Sequence, residues 1–120
     1  MRVLVLLAVL GACKDRPPPA PGEVAERGWT AYERVITAGE HATTCREAGA
    51  AMQQAYAANR QAFVDAFALD RDKDRLRIAT EWLESHGERF ADLEPRMDAL
   101  KARCPVEASV QAVFREMESP

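Results

Sequence analysis

Serine is scarce in this chain. Ser85, Ser109 and Ser119 are the only three in 120 residues. None lies in a Gly-x-Ser-x-Gly turn, which removes the nucleophile elbow of the serine hydrolases. Histidine is scarcer, with His41 and His86 alone. Neither has a second histidine four residues away or a glutamate three residues before it, the spacings that put two metal ligands on one helix face. The cysteines form no Cys-x-x-Cys and no Cys-x-x-Cys-His, so thioredoxin-type exchange and covalent haem attachment have no carrier. The six glycines stand singly, with no phosphate-cradling loop. A basic block is missing as well: 16 Lys and Arg interleave with 19 Asp and Glu, for a net charge of −3. That pattern argues against nucleic acid and against an electrostatic grip on anionic lipid. Together the absences predict a non-enzymatic protein with no catalytic residues, no cofactor and no metal centre.

Long apolar runs are absent too. Val3 through Leu10 gives eight apolar residues in a row, against the roughly 20 that a membrane-spanning helix requires. Arg2 precedes this run and Leu10-Gly11-Ala12-Cys13 closes it. A positive start, a short apolar core and small residues before a cut site form the secretory pattern. The last four residues resemble the lipobox of bacterial lipoproteins, a likeness confined to residues 1–13. The resemblance implies that residues 1–12 are a removable signal peptide. It also implies that Cys13 becomes the mature N-terminus and carries lipid such as palmitate. The address would then be a bacterial cell envelope, with the bilayer as first partner. In the enteric sorting pattern an aspartate after the cysteine retains such proteins at the inner membrane, so Lys14 points to the outer one. The plainer alternative is an ordinary signal peptide that leaves Cys13 as a free thiol.

After Cys13 comes Lys14-Asp15-Arg16-Pro17-Pro18-Pro19-Ala20-Pro21-Gly22. Prolines this dense exclude helix and ladder strand. They favour polyproline II, rising about 3.1 Å per residue. Residues 13–22 therefore read as a tether, and residues 23–120 as one domain.

Within that domain alanine is abundant and no stretch alternates apolar and polar with period two. Helix is the expectation throughout. Gly28, Val35, Ala42, Gly49, Tyr56 and Phe63 recur every seven residues. So do Val24, Ala31, Ala38, Cys45, Met52, Asn59 and Ala66, with Trp29, Tyr32 and Ile36 widening the stripe. A helix from Glu23 to Ala68 would be roughly 70 Å long, too long for the remaining residues to cover. Gly39 as a C-cap and Thr44-Cys45-Arg46-Glu47 as a capping box place a break at 39–43. A continuous kinked helix is the alternative. Further on, Leu76, Leu83, Phe90, Met97 and Cys104 form a second seam with Ala79, His86, Leu93 and Leu100. Pro95 should kink it or start it afresh. Val106, Val110, Val113, Phe114 and Met117 form a last inward stripe behind Pro105. The expected fold is a small all-α antiparallel bundle of three or four helices. They span about 23–38, 44–68, 73–103 with a kink near 95, and 106–117.

With Cys13 committed to lipid, Cys45 and Cys104 remain, an even pair in an oxidising compartment. Cys45 opens the second helix and Cys104 closes the third, so an antiparallel hairpin would bring them together as a disulfide. A turn near residue 72 puts Cys45 opposite about residue 99. That leaves a mismatch of some 7 Å at 1.5 Å per residue, for the disruption at Pro95 to absorb.

One stretch invites a metal. Asp70, Asp72, Asp74 and Glu81 occupy positions 1, 3, 5 and 12 of an EF-hand-like loop, a spacing that suits calcium. Arg75 stands where the loop needs glycine, and Arg77 where an aliphatic residue belongs. The competing reading is a helix start capped by Asp70 or Asp72. His86 on the seam could be a ligand but reads as a core or boundary residue, and His41 as a loop residue. Met52, Met97 and Met117 read as core filler. Trp29, Tyr32 and Trp82 are expected to be buried, with interface anchoring as the alternative. Two functions follow. The leading one is a lipid-tethered module presenting a face to an envelope protein. The other is a ligand- or ion-binding bundle using loop 70–81 or a pocket near His86.

Overall fold

In a computed structural model, residues 17–120 are described. The signal segment, Cys13 and Lys14 lie outside them. The described residues form five α-helices: α1 Pro21–His41, α2 Cys45–Ala68, α3 Lys73–His86, α4 Leu93–Arg103 and α5 Ala108–Glu118. Short 3-10 turns, Leu69–Arg71 and Gly87–Phe90, link α2 to α3 and lead out of α3. Among the described residues there is no strand, and no helix is long and apolar enough to cross a membrane. The fold is an all-α bundle braced by a disulfide.

Local chemistry sets most boundaries. Pro21 opens α1, where its missing N–H costs nothing. The chain breaks between α1 and α2 as the sequence requires, but not at Gly39. That glycine lies inside α1, and the helix ends at His41, with the Ala42 N–H donating to the Gly39 carbonyl. Gly39 serves packing instead: a Cβ there would come within 2.7 Å of Leu100 Cδ2 and 2.8 Å of Met52 Sδ. Thr44 caps α2, its Oγ1 accepting from the Glu47 N–H at 3.1 Å. Asp72 caps α3, accepting from the N–H groups of Asp74 and Arg75.

The second seam departs from expectation at its middle. The interruption falls at residues 87–92, upstream of Pro95, which is the third residue of α4. Proline is tolerated only in a first turn, so a helix containing Pro95 cannot extend far before it. In the gap Phe90 swings inward, buried, its ring stacked 6.1 Å from that of Trp29. The last helix also starts later than predicted. Val106 is in the preceding turn and is 90% exposed rather than facing inward.

α1 is the hub. It packs on α2, α3 and α4, while α5 packs on α2. Ala79 of α3 joins Val24 and Ala25 in a small cluster at the start of α1. Leu100 of α4 reaches Gly39 near its end. So α3 and α4 run in sequence along α1 and in its direction, rather than forming a simple hairpin with α2. The main core gathers Val35, Ile36, Met52, Tyr56, Val110 and Val113, among others. Burial of each large aliphatic there contributes about 1.5–3 kcal/mol. Where α5 crosses α2, a Cβ on Gly49 would overlap Ser109 Oγ, so only glycine permits that approach.

Cys45 and Cys104 form the disulfide, with Cα atoms 5.5 Å apart and a sequence separation of 59. Because α3 and α4 are separate helices, the pairing does not have to close along one straight rod. The same end carries Arg103, whose guanidinium donates to the carbonyls of Gly39 and Ala42 at 3.1 and 3.3 Å. The Ala42 carbonyl lies past the last residue of α1, where no helical N–H follows, and the Gly39 carbonyl takes Arg103 as a second donor beside the Ala42 N–H. Beside it, Arg96 grips Glu40 through two hydrogen bonds of 3.1 and 2.6 Å and donates to Thr37 Oγ1. The hydrogen bond from Arg96, against some opposing desolvation, holds the Glu40 carboxyl below the usual carboxylate range.

Candidate functional site

The residues at the EF-hand-like positions, Asp70, Asp72, Asp74 and Glu81, form no metal cluster. Asp72 is engaged as the α3 cap, and Glu81 sits in mid-helix, paired with Arg77 at 2.9 Å. What the spacing presents as a calcium loop is a 3-10 turn followed by α3. Among the described residues no group of three His, Cys, Asp or Glu side chains is placed to hold a metal ion.

His86 departs from its seam. It is exposed at the end of α3, stacked on Trp82 at 4.8 Å with the rings 8° from parallel. Its Nδ1 lies 2.8 Å from Ser85 Oγ and 3.0 Å from the Trp82 carbonyl oxygen, a purely local set of partners. His41, expected in a loop, is the exposed last residue of α1.

An apolar concavity lies elsewhere. It is a groove of about 330 Å³ walled by three helices. α1 contributes Ala25, Gly28, Trp29 and Tyr32; α2 contributes Phe63, Ala66 and Phe67; α3 contributes Leu76, Ala79, Thr80 and Leu83. Leu69 and Met117 complete the apolar lining, and Asp70 is its one charged member. The volume is at the lower end of the roughly 300–1,000 Å³ typical of small-molecule sites.

Small residues create the floor. Gly28 and Ala66 bring α1 and α2 so close that a Cβ on Gly28 would sit 2.8 Å from the Ala66 Cβ. Large apolar side chains then stand around the depression without meeting across it. Trp29 is 36% exposed, Phe67 42% and Leu76 37%. The expected burial of Trp29 is thus incomplete: its ring lies 5.9 Å from that of Tyr32 and stacks on Phe90, leaving an edge in water. Leu76, on the predicted seam, is likewise exposed because α1 and α2 do not close over it. Tyr32 is half-buried, its hydroxyl directed at Met97 Sδ. Burial, with the nearby acids Glu118, Asp98 and Glu94, pushes the phenol further above its ordinary range. It therefore stays neutral in the groove, where it forms part of the wall.

The tether reaches this region. Arg75 Nη2 donates to the Pro19 carbonyl oxygen at 2.9 Å, fastening the chain before α1 to the first turn of α3. Gly22 sits flat against the Trp82 indole, where a Cβ would come within 2.7 Å of Cδ1. Sequence reasoning did not find the groove. Its one legible signal is the small-residue pair Gly28 and Ala66 facing each other on the two seven-residue series. Comparison with protein-family models, with curated proteins and with solved structures finds no match to this chain.

Proposed function

We propose that this chain is a non-enzymatic lipoprotein of a bacterial cell envelope. It is a small helical module held to a membrane, in first preference the outer one, through lipid on Cys13, and it acts by binding. The observation that carries the reading is Leu10-Gly11-Ala12-Cys13 closing a short apolar run behind Arg2. The disulfide Cys45–Cys104 supports it, since such bonds persist in the oxidising envelope. Of the two kinds of binding expected, a face for an envelope protein and a ligand pocket, the groove favours the second. Its lining is concave, walled by three helices and almost wholly apolar. Loop 70–81 contributes Asp70, Leu76, Ala79 and Thr80 to it, and His86 is not among its lining residues.

Metabolic labelling of the full chain with an alkyne-tagged palmitate, beside a Cys13→Ser control, tests the proposal. Label in the wild type that disappears in Cys13→Ser is expected. An unlabelled wild-type protein recovered from the envelope would reject it.

A further inference from the structure

The groove and the fastened tether share one end of the molecule. The tether is pinned at Pro19 to Arg75, and the groove begins one residue further along α3, at Leu76, and at Ala25 on α1. The axial rise from Ala20 to Ala25 is about 7.5 Å at 1.5 Å per residue. Cys13 stands six residues before Pro19, a span of about 19 Å at the polyproline rise of 3.1 Å. A flexible group attached to Cys13 therefore reaches the groove while Pro19 stays fastened.

The lining selects the kind of group. It offers one carboxylate, from Asp70, and no basic side chain, so it has nothing for a phosphate headgroup. The Tyr32 hydroxyl is already directed at Met97, and Thr80 Oγ1 donates to the Leu76 carbonyl at 2.8 Å. Apart from the Asp70 carboxylate, what remains is apolar surface, with three large side chains partly in water around it. An unbranched hydrocarbon chain satisfies that surface, since it brings no donor or acceptor and removes apolar area on both sides from water.

We propose that the groove holds a fatty acyl chain carried on Cys13 of the same molecule. This rests on the lipoprotein reading above. The domain shelters part of its own lipid when it is away from a bilayer, and a bilayer competes with the groove for that chain.

The test uses the full chain made in bacteria fed a fatty acid with a diazirine near its methyl end. The purified protein is irradiated in detergent-free buffer, its monomer band is isolated, and the cross-linked peptides are mapped. The Cys13 peptide is expected to be joined to peptides containing Trp29, Phe67 or Leu76. The double variant Phe67→Gln with Leu76→Gln changes two exposed positions, retains the helical circular dichroism spectrum, and is expected to lower that cross-link at least fivefold. Cross-links to phospholipid alone or to a second copy overturn the inference and leave the anchor standing, as does a double variant that cross-links like wild type. A protein with no label anywhere overturns the lipoprotein reading, and this inference with it.

Discussion

Gly28 shows how one missing side chain shapes the site. Its Cα lies against Ala66, and a Cβ there would stand 2.8 Å from the Ala66 Cβ, closer than side chains pack. Gly28→Val therefore pushes α1 from α2 at the floor of the groove. Overpacking of this kind costs about 1–3 kcal/mol, read as a lower urea midpoint. A charged pair illustrates the opposite case. Arg96 and Glu40 are only 27% and 33% exposed, and the pair is doubly hydrogen-bonded. Because Arg96 lowers the Glu40 carboxyl in the folded state, the folded protein binds that proton less readily than the unfolded chain. Its contribution is complete above the unfolded value, about 4.3, and is lost as pH falls through the lower folded value. Glu40→Gln is expected to destabilise by about 1 kcal/mol at pH 7, after allowing for solvent screening. Near pH 3 the difference from wild type should shrink, and equal differences at both pH values would refute this account.

At the level of elements, caps and crosslinks carry separate and measurable weight. Thr44→Ala removes the acceptor for the Glu47 N–H and should cost about 1 kcal/mol in thermal or urea unfolding. The disulfide closes a loop spanning a separation of 59 residues. Its loss in Cys45→Ser with Cys104→Ser removes about 4 kcal/mol in the chain-entropy model. That is a large share of the stability of a small domain, so the double variant should unfold at a clearly lower urea concentration. The same features explain what could be read in advance. Thr44 and Asp72 are local signals, because a cap depends on residues within one turn, and both caps stand where the sequence places a helix start. The Cys45–Cys104 bridge is legible because, with Cys13 assigned to the lipobox-like run, two cysteines remain and both stand at helix ends. Gly39 misled because a glycine that ends a helix and one that admits a close neighbour look alike in sequence; only Leu100 and Met52 decide between them. Pro95 correctly signalled disruption, but the disruption falls upstream, where the first turn must begin. His86 and Leu76 keep the seven-residue spacing yet remain exposed, since periodicity defines a face without saying how far its partner extends.

For the molecule as a whole, the groove is the feature least visible in the sequence. It arises where α1, α2 and α3 approach at one end of the bundle, and it depends on the angles between helices rather than on any motif. The lipobox-like run Leu10-Gly11-Ala12-Cys13 is the reverse: it is read from the first thirteen residues alone and lies outside the described structure. The Pro19–Arg75 contact sets the tether beside the groove. We propose that Cys13 is the lipid-bearing N-terminus of a disulfide-braced envelope module. Intact mass spectrometry of the full-length protein, extracted from membranes without reductant and treated with a thiol alkylator, tests this directly. The expected species is a chain beginning at Cys13, carrying the added mass of its acyl groups and no alkylator. A chain that retains residues 1–12, or one that begins at Cys13 with an alkylated thiol and no lipid, would contradict it.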